Sequence, residues 1–440
     1  METGGLGPQM LVKIVISKIN MSAKTWSIVL VVLLLLLLVG LVIGLSCSPS
    51  HRLDSDLNYK AQKALPSLSK FASELNSKYS PSDDPLPLTV PMSWDDDEGG
   101  YMVIINVSNA WVELVFDSGS SHISAKGLNC QWKQCDDSGN CTLSSCPKTS
   151  AFIPRGPQVS LNKQSSSLLE YGSQKSSVTH HVESFSLLNL HPNCADFMRA
   201  GNFKTVPEFL EKLYPLGAPT VTFGPTLLYN IYLLEGSTTS NIFGVAQDNE
   251  PNNQSLLDAF FPPSSNLPKI WSITCRPSHA LFSLGPLRCY GTPKFVPLLF
   301  PSAFKKFLTI FYIVRLREVR VINGSEKKSV KKSVVPKFVV LDTGTTYTYC
   351  NSALAAGLTA AGYNRPTSHV ELVFGSSVNN LTLHYKPQML QNAFLTDLTE
   401  LDSMFGNVPI LLMGVEQMFH FYFEYNLTTQ MLGIVDISAL

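Results

Sequence analysis

The chain has 440 residues, enough for two or three domains with separate cores, so a single small module is excluded. Its 33 basic and 33 acidic residues cancel, which removes the overall field that would draw it to nucleic acid or to an anionic membrane surface. Charged residues make up only 15% of it, below the usual value of about 25%, and Ser, Thr, Asn and Pro are plentiful, a balance that suits a secreted β-rich protein better than a cytosolic helical one.

In chain order, residues 1–26 form a short segment carrying Lys13, Lys18 and Lys24. From Ser27 to Leu45, "SIVLVVLLLLLLVGLVIGL" holds no charge, and as a helix it covers about 28 Å, roughly the hydrocarbon thickness of a bilayer. A cleaved signal peptide is the rival reading, with "GLSC" around Cys47 as its processing site. The apolar core exceeds the ~7–15 residues of a signal peptide, which favours an uncleaved anchor over residues 27–46. The lysines on its N-terminal flank then place residues 1–26 in the cytoplasm and the rest in a lumenal or extracellular space, a single-pass type II arrangement. A cleaved segment would instead give a secreted protein.

Residues 47–97 read as a stalk or prosegment: a helix-like piece, "NYKAQKALPSLSKFASELNSKY", and then the Pro- and Asp-rich "SPSDDPLPLTVPMSWDDDEGG". From Tyr101 onward short β-rich runs alternate with turn residues: "YMVIINV", "WVELVF", "HVESFSLL", "TVTFG", "IWSITC", "FYIVRLREVRVI", "KFVVL", "VELVFG", "NLTLHY" and "FHFYFEY". Helical pieces are expected at "VPEFLEKLY", "QSLLDAFF" and "NSALAAGLTAAG". The expectation is an all-β protein.

Eight of the nine cysteines lie beyond the anchor (Cys130, Cys135, Cys141, Cys146, Cys194, Cys275, Cys289 and Cys350), an even number suited to four disulfides in an oxidising compartment. The cluster from Cys130 to Cys146 lacks the C-x2-C spacing of zinc knuckles, so no metal is expected there. Sequons at Asn106, Asn140, Asn253, Asn323, Asn380 and Asn426 also fall after the anchor, as a glycoprotein's must.

An internal repeat carries the chemistry. "LVFDSGSS" around Asp117 and "VVLDTGTT" around Asp342 share three apolar residues, Asp, a hydroxyl residue, Gly and two hydroxyl residues. One such turn is ordinary loop chemistry. Two in one chain imply two lobes that each supply a carboxylate to a shared site. A second repeated element follows each, "NIFGVAQ" at Gly244 and "ILLMGVEQ" at Gly414.

From about Tyr101 to the C-terminus these motifs resemble, in order, those of pepsin-like aspartic endopeptidases (peptidase family A1). The resemblance implies a bilobal pepsin-like acid protease fold with the active-site cleft between two lobes, residues 98–265 and 266–440, here preceded by a transmembrane helix. It implies that Asp117 and Asp342 are the catalytic pair. Ser118 and Thr343 would tie the two loops together, Gly119 and Gly344 would let the backbone approach the carboxylates, and Ser120 and Thr345 would hydrogen-bond their outer oxygens. "LLEYGSQKSSVTHHVESFSL" resembles the flap hairpin, with Tyr171 and Gly172 at its tip against substrate. Two departures stand out: Ser124 occupies the place where the family sets a tryptophan hydrogen-bonded to the flap tyrosine, and Gln174 replaces the flap's second glycine. The implied reaction is hydrolysis of peptide bonds in protein substrates by a monomer, with no cofactor, no metal and no nucleic-acid partner. The alternative is an inactive binding or inhibitor protein on the same scaffold.

Three further features have plainer readings. The Lys-rich "SEKKSVKKSVVPK" before Asp342 reads as a solvated hairpin, His180 and His181 as inert strand histidines, and Lys60 and Lys63 as a solvated helix face.

Overall fold

Runs of apolar residues at alternate positions cannot bury one face alone, and the chain satisfies them by pairing strands that lie far apart in sequence. In the computed structural model the described residues, within the unit 64–440, are 88–127 less 97 and 108–109, 131–135, 141–145, 168–190 less 172–173, isolated residues between 205 and 212, 221–247 less 224–225 and 236–240, 255–299 less 263–266 and 288–289, and 311–438 less 365–366, 376–379, 386–395, 398–400, 402–404 and 406–407. The expected span at 27–46, the segment 47–87 with Lys60 and Lys63, and Gly172 lie outside them. Among the described residues no helix is long and apolar enough to cross a membrane.

The first half runs through β1 (Leu88–Asp95), β2 (Gly100–Val107), β3 (Ala110–Asp117), β4 (Ile123–Lys126), a separate hairpin of β5 (Gln131–Cys135) and β6 (Cys141–Ser145), a second hairpin of β7 (Leu168–Tyr171) and β8 (Gln174–Leu190), then β9 (Val221–Phe223), β10 (Leu227–Glu235) and β11 (Ile242–Gly244). Six of these close on themselves in the order β2, β3, β11, β4, β10, β8 and back to β2. β8 is 17 residues long because it serves both this ring and the hairpin with β7. The short helix α1 (Leu256–Phe260) follows, capped by Ser255 and burying Leu256 and Leu257.

The second half comprises β12 (Ile270–Arg276), β13 (His279–Leu284), β14 (Lys294–Leu299), β15 (Tyr312–Asn323), β16 (Glu326–Ser329), β17 (Phe338–Leu341), β18 (Tyr349–Cys350), helix α2 (Ser352–Ala360), β19 (His369–Gly375), β20 (Asn380–Tyr385), β21 (Thr396–Asp397), β22 (Ile410–Met413), β23 (Phe421–Asn426) and β24 (Met431–Asp436). The Asn351 side chain accepts the Leu354 amide and starts α2. The Lys-rich hairpin at β16 is exposed along its length.

Between the halves runs a sheet ordered β1, β13, β12, β23, β24, β14. β1 carries it into the first half through β2, and β14 into the second through β15. Its centre is aromatic: Trp271 lies flat on Tyr425, ring centroids 3.9 Å apart and 3° from parallel, with Tyr312 4.7 Å from Tyr425. All three are fully buried.

Two sequence expectations change here. Leu88–Asp95, at the end of the stretch read as stalk or prosegment, is a strand built into the sheet, since β13 and β2 give its Pro-containing backbone partners on both sides. The eight cysteines do not resolve into four disulfides, because Cys275 is a buried free thiol in the central sheet. Burial there pushes its thiol well up, so it behaves as a small apolar side chain.

Candidate active site

β3 positions Asp117 by simple alternation. Phe116 turns into the core, against Phe282 at 5.0 Å, Trp271 at 6.0 Å and Phe243 at 6.1 Å between ring centroids, and the next side chain therefore leaves the opposite face. β17 does the same for Asp342, with Val339, Val340 and Leu341 fully buried before it. Each strand has a parallel neighbour: β11 beside β3, with Gly244 opposite Asp117, and β22 beside β17. The Asp117 carbonyl accepts the Val245 amide at 2.9 Å, and the Asp342 amide donates to the Met413 carbonyl at 3.0 Å.

The glycines that follow explain the second repeated motif. A methyl group on Gly244 would collide with the backbone of Ser120 and His122, and one on Gly414 with the Tyr347 carbonyl. Only a residue without Cβ lets these segments thread so close to the Asp loops.

The two loops are joined by a reciprocal set of buried hydrogen bonds. The Ser118 amide donates to Oγ1 of Thr343 at 2.8 Å, and the Thr343 amide to Oγ of Ser118 at 3.0 Å. Each hydroxyl then donates onward, Ser118 to the Leu341 carbonyl at 3.2 Å and Thr343 to the Phe116 carbonyl at 3.1 Å. Both side chains are fully buried.

The carboxylates sit in matching cradles. Oδ1 of Asp117 accepts the Gly119 amide at 2.6 Å, and Oδ1 of Asp342 the Gly344 amide at 3.0 Å. Oδ2 of Asp117 accepts the Ser120 hydroxyl, and Oδ2 of Asp342 the Thr345 hydroxyl at 2.6 Å. Across the pair, a methyl on Gly119 would lie 2.7 Å from Oδ1 of Asp342, and one on Gly344 would lie 2.5 Å from Cγ of Asp117. Each carboxylate thus rests on the other loop's glycine. Burial, then the charge of Asp117, then a hydrogen bond to Asp117 hold the Asp342 carboxyl well above the ordinary carboxylate range. The pair therefore keeps one proton where isolated carboxylates would lose it.

Support reaches the loops from elsewhere in the fold. The Thr346 hydroxyl donates to the Gly99 carbonyl at 2.7 Å, which docks the turn between β1 and β2 on the second loop. Tyr312 donates from its hydroxyl to the Val245 carbonyl at 2.6 Å and accepts Nε1–H of Trp271 at 3.1 Å. The same Tyr312 pairs through its backbone with Leu341, next to Asp342, so one residue touches the framework of both loops.

Tyr171 ends β7 directly opposite Gln174 of β8, which gives the expected flap a hairpin backbone. His180, on the same strand, is not a solvated bystander: it is half-buried against Tyr232, ring centroids 4.5 Å apart. Ser124 is fully buried. Glu113, on the Asp117 face of β3, has its carboxyl pushed up to about 7 by burial and by the charges of Asp95 and Glu98. Among the described residues no group of three or more His, Cys, Asp or Glu is arranged to hold a metal ion.

Sequence reasoning missed Tyr312, Tyr232 and Glu113. The alternation of β3 places Glu113 two pleats before Asp117, a signal that was readable. Tyr312 and Tyr232 gain their neighbours from strands distant in sequence, and no local pattern marks them.

No protein-family model matches the sequence, and no curated protein matches it. Among solved structures, the chain is similar to the crystal structure of basic 7S globulin from soybean, at 12% identity and a TM-score of 0.52, over 80% of this chain and 97% of that one. With the mostly β content, this likeness is consistent with an all-β, two-lobed pepsin-like fold.

Proposed function

We propose that the chain is an aspartic endopeptidase that hydrolyses peptide bonds of protein substrates with Asp117 and Asp342. The observation that carries this reading is the reciprocal packing of each carboxylate on the glycine of the other loop. Two carboxyls so placed share a proton, as in the aspartic proteases that serve as the standard case of such coupling. The protonated member of the pair polarises the scissile carbonyl, while the pair's negative charge draws a proton from the attacking water. The proton is then returned to the leaving nitrogen. No covalent acyl-enzyme forms.

We further propose that residues 27–46 anchor the chain in a membrane with both lobes on the lumenal or extracellular side, a reading supported by the flanking lysines and by the sequons beyond the span. A binding protein on the same scaffold is the second reading, with which the likeness to a structure named as a globulin is equally compatible.

The test is cleavage of a mixed peptide library by the full chain in detergent, from acidic to neutral pH, with and without pepstatin. Cleavage in mild acid that pepstatin stops, and that Asp117→Asn and Asp342→Asn each abolish while the protein stays folded, supports the peptidase. Substantial cleavage by either variant rules out the carboxylate pair. Absence of cleavage from a folded sample moves the assignment to the binding protein.

A further inference from the structure

The strand register draws one line of side chains across the first-half sheet, on the face that carries Asp117. Val115 of β3 pairs with Ile242 of β11, Ile242 with Ser124 of β4, Ser124 with Tyr232 of β10, and Tyr232 with His180 of β8. Directly paired residues project to the same face, and Val115 is one pleat away from Asp117. His122 precedes Ser124 by two residues and shares that face.

Within this line the smallest side chain, Ser124, stands beside the largest, Tyr232. The tyrosine ring is flanked on both sides by imidazoles, His122 at 4.8 Å with planes 44° apart and His180 at 4.5 Å with planes 58° apart. The two histidines belong to different parts of the site. His122 closes the loop of Asp117: its carbonyl accepts the Gly244 amide at 3.0 Å, and Ser120 just before it holds Oδ2 of Asp117. His180 lies at the root of the flap, three residues beyond Ser177, where β8 leaves its pairing with β7.

We propose that Tyr232 is a positioning residue for the flap: wedged between His122 on the Asp117 loop and His180 on the flap strand, it braces the hairpin against the loop in place of the aromatic that Ser124 does not supply. The brace comes from a neighbouring strand, so the local sequence after Asp117 carries no sign of it. A role in turnover rests on the peptidase reading above; the mechanical coupling of the hairpin to the loop does not.

Hydrogen exchange of the full chain separates the two. In Tyr232→Ala, and independently in His180→Ala, which removes only the flap-side ring, amides of residues 168–177 are expected to exchange about tenfold faster while those of 100–107 keep their wild-type rate. With an extended peptide as substrate, KM rises about tenfold and kcat changes less, because a slack flap weakens capture more than chemistry. Unchanged exchange at 168–177 in the folded variants overturns the brace whether or not the chain cleaves peptides. Equal acceleration throughout the first-half sheet also overturns it, since that marks an ordinary core residue. A wild-type chain that neither cleaves nor binds pepstatin counts against the peptidase, and the exchange result still judges the brace.

Discussion

Replacing Thr343 by valine tests whether the two Asp loops are held by the hydroxyl pair at their junction. Valine keeps the shape of threonine, so no cavity opens and the loss is confined to hydrogen bonding. The buried hydroxyl accepts the Ser118 amide at 2.8 Å and donates to the Phe116 carbonyl at 3.1 Å. Without it the Ser118 amide is buried and unsatisfied, which costs about 1–3 kcal/mol, and the lost carbonyl bond adds about 1 kcal/mol more, giving roughly 2–4 kcal/mol in total. Ser118→Ala removes the mirror pair, at 3.0 and 3.2 Å, and belongs in the same range. Urea unfolding followed by tryptophan fluorescence measures both: the midpoint falls while the slope stays constant. A loss under about 0.5 kcal/mol in both variants would refute the idea that these hydroxyls carry the junction.

Gly344→Ala places a methyl 2.5 Å from Cγ of Asp117, so the carboxyl must retreat by about 1 Å. A displacement of that size costs about a hundredfold in rate, and kcat/KM from active-site-titrated enzyme should show it with the fold intact; activity within threefold of wild type would count against the packing. Between mild acid and neutral pH, His122 and His279, held well below the ordinary imidazole range by burial, add stability as pH rises, while Asp342 and Glu113, whose carboxyls are raised above their unfolded values, take it away. Such carboxyls stabilise the fold fully below the unfolded value, and the contribution is lost as pH climbs to the folded one, for Glu113 from 4.5 to about 7. Its share is on the order of 2 kcal/mol after allowance for its partial exposure. Thermal melts from pH 4 to pH 8 should therefore show Glu113→Gln gaining stability relative to the wild type as pH rises, and a difference that stays constant with pH would contradict the assignment.

Much of the site could be read from the sequence because its grammar is local. Asp, a hydroxyl residue, Gly and a second hydroxyl residue lie within four positions, and each bond within a cradle spans two or three residues. The capping asparagine of α2 and the alternation of β3 and β23 are local for the same reason. β1 was hidden because Pro91 and the acidic run after it resemble a linker, and its partner β13 lies nearly two hundred residues away. Tyr312 and Tyr232 were hidden because their roles arise from register between remote strands. The cysteine count misled because it assumed an oxidised partner for Cys275, which the central sheet buries as a free thiol beside Tyr101.

The order of strands in that central sheet also governs when the protein can fold. β12 finds its second neighbour only in β23, about 150 residues later, and β14 pairs with β24. A ribosome making the chain exposes the aromatic floor of both Asp loops before the strands that cover it have been synthesised. Contacts so distant in sequence make folding slow and late, and the interval leaves unpaired strand edges open to other chains. Removing β23 and β24 would therefore uncover the middle of the sheet and both halves together, so a chain truncated before Phe421 is expected to aggregate during synthesis rather than yield a working first half.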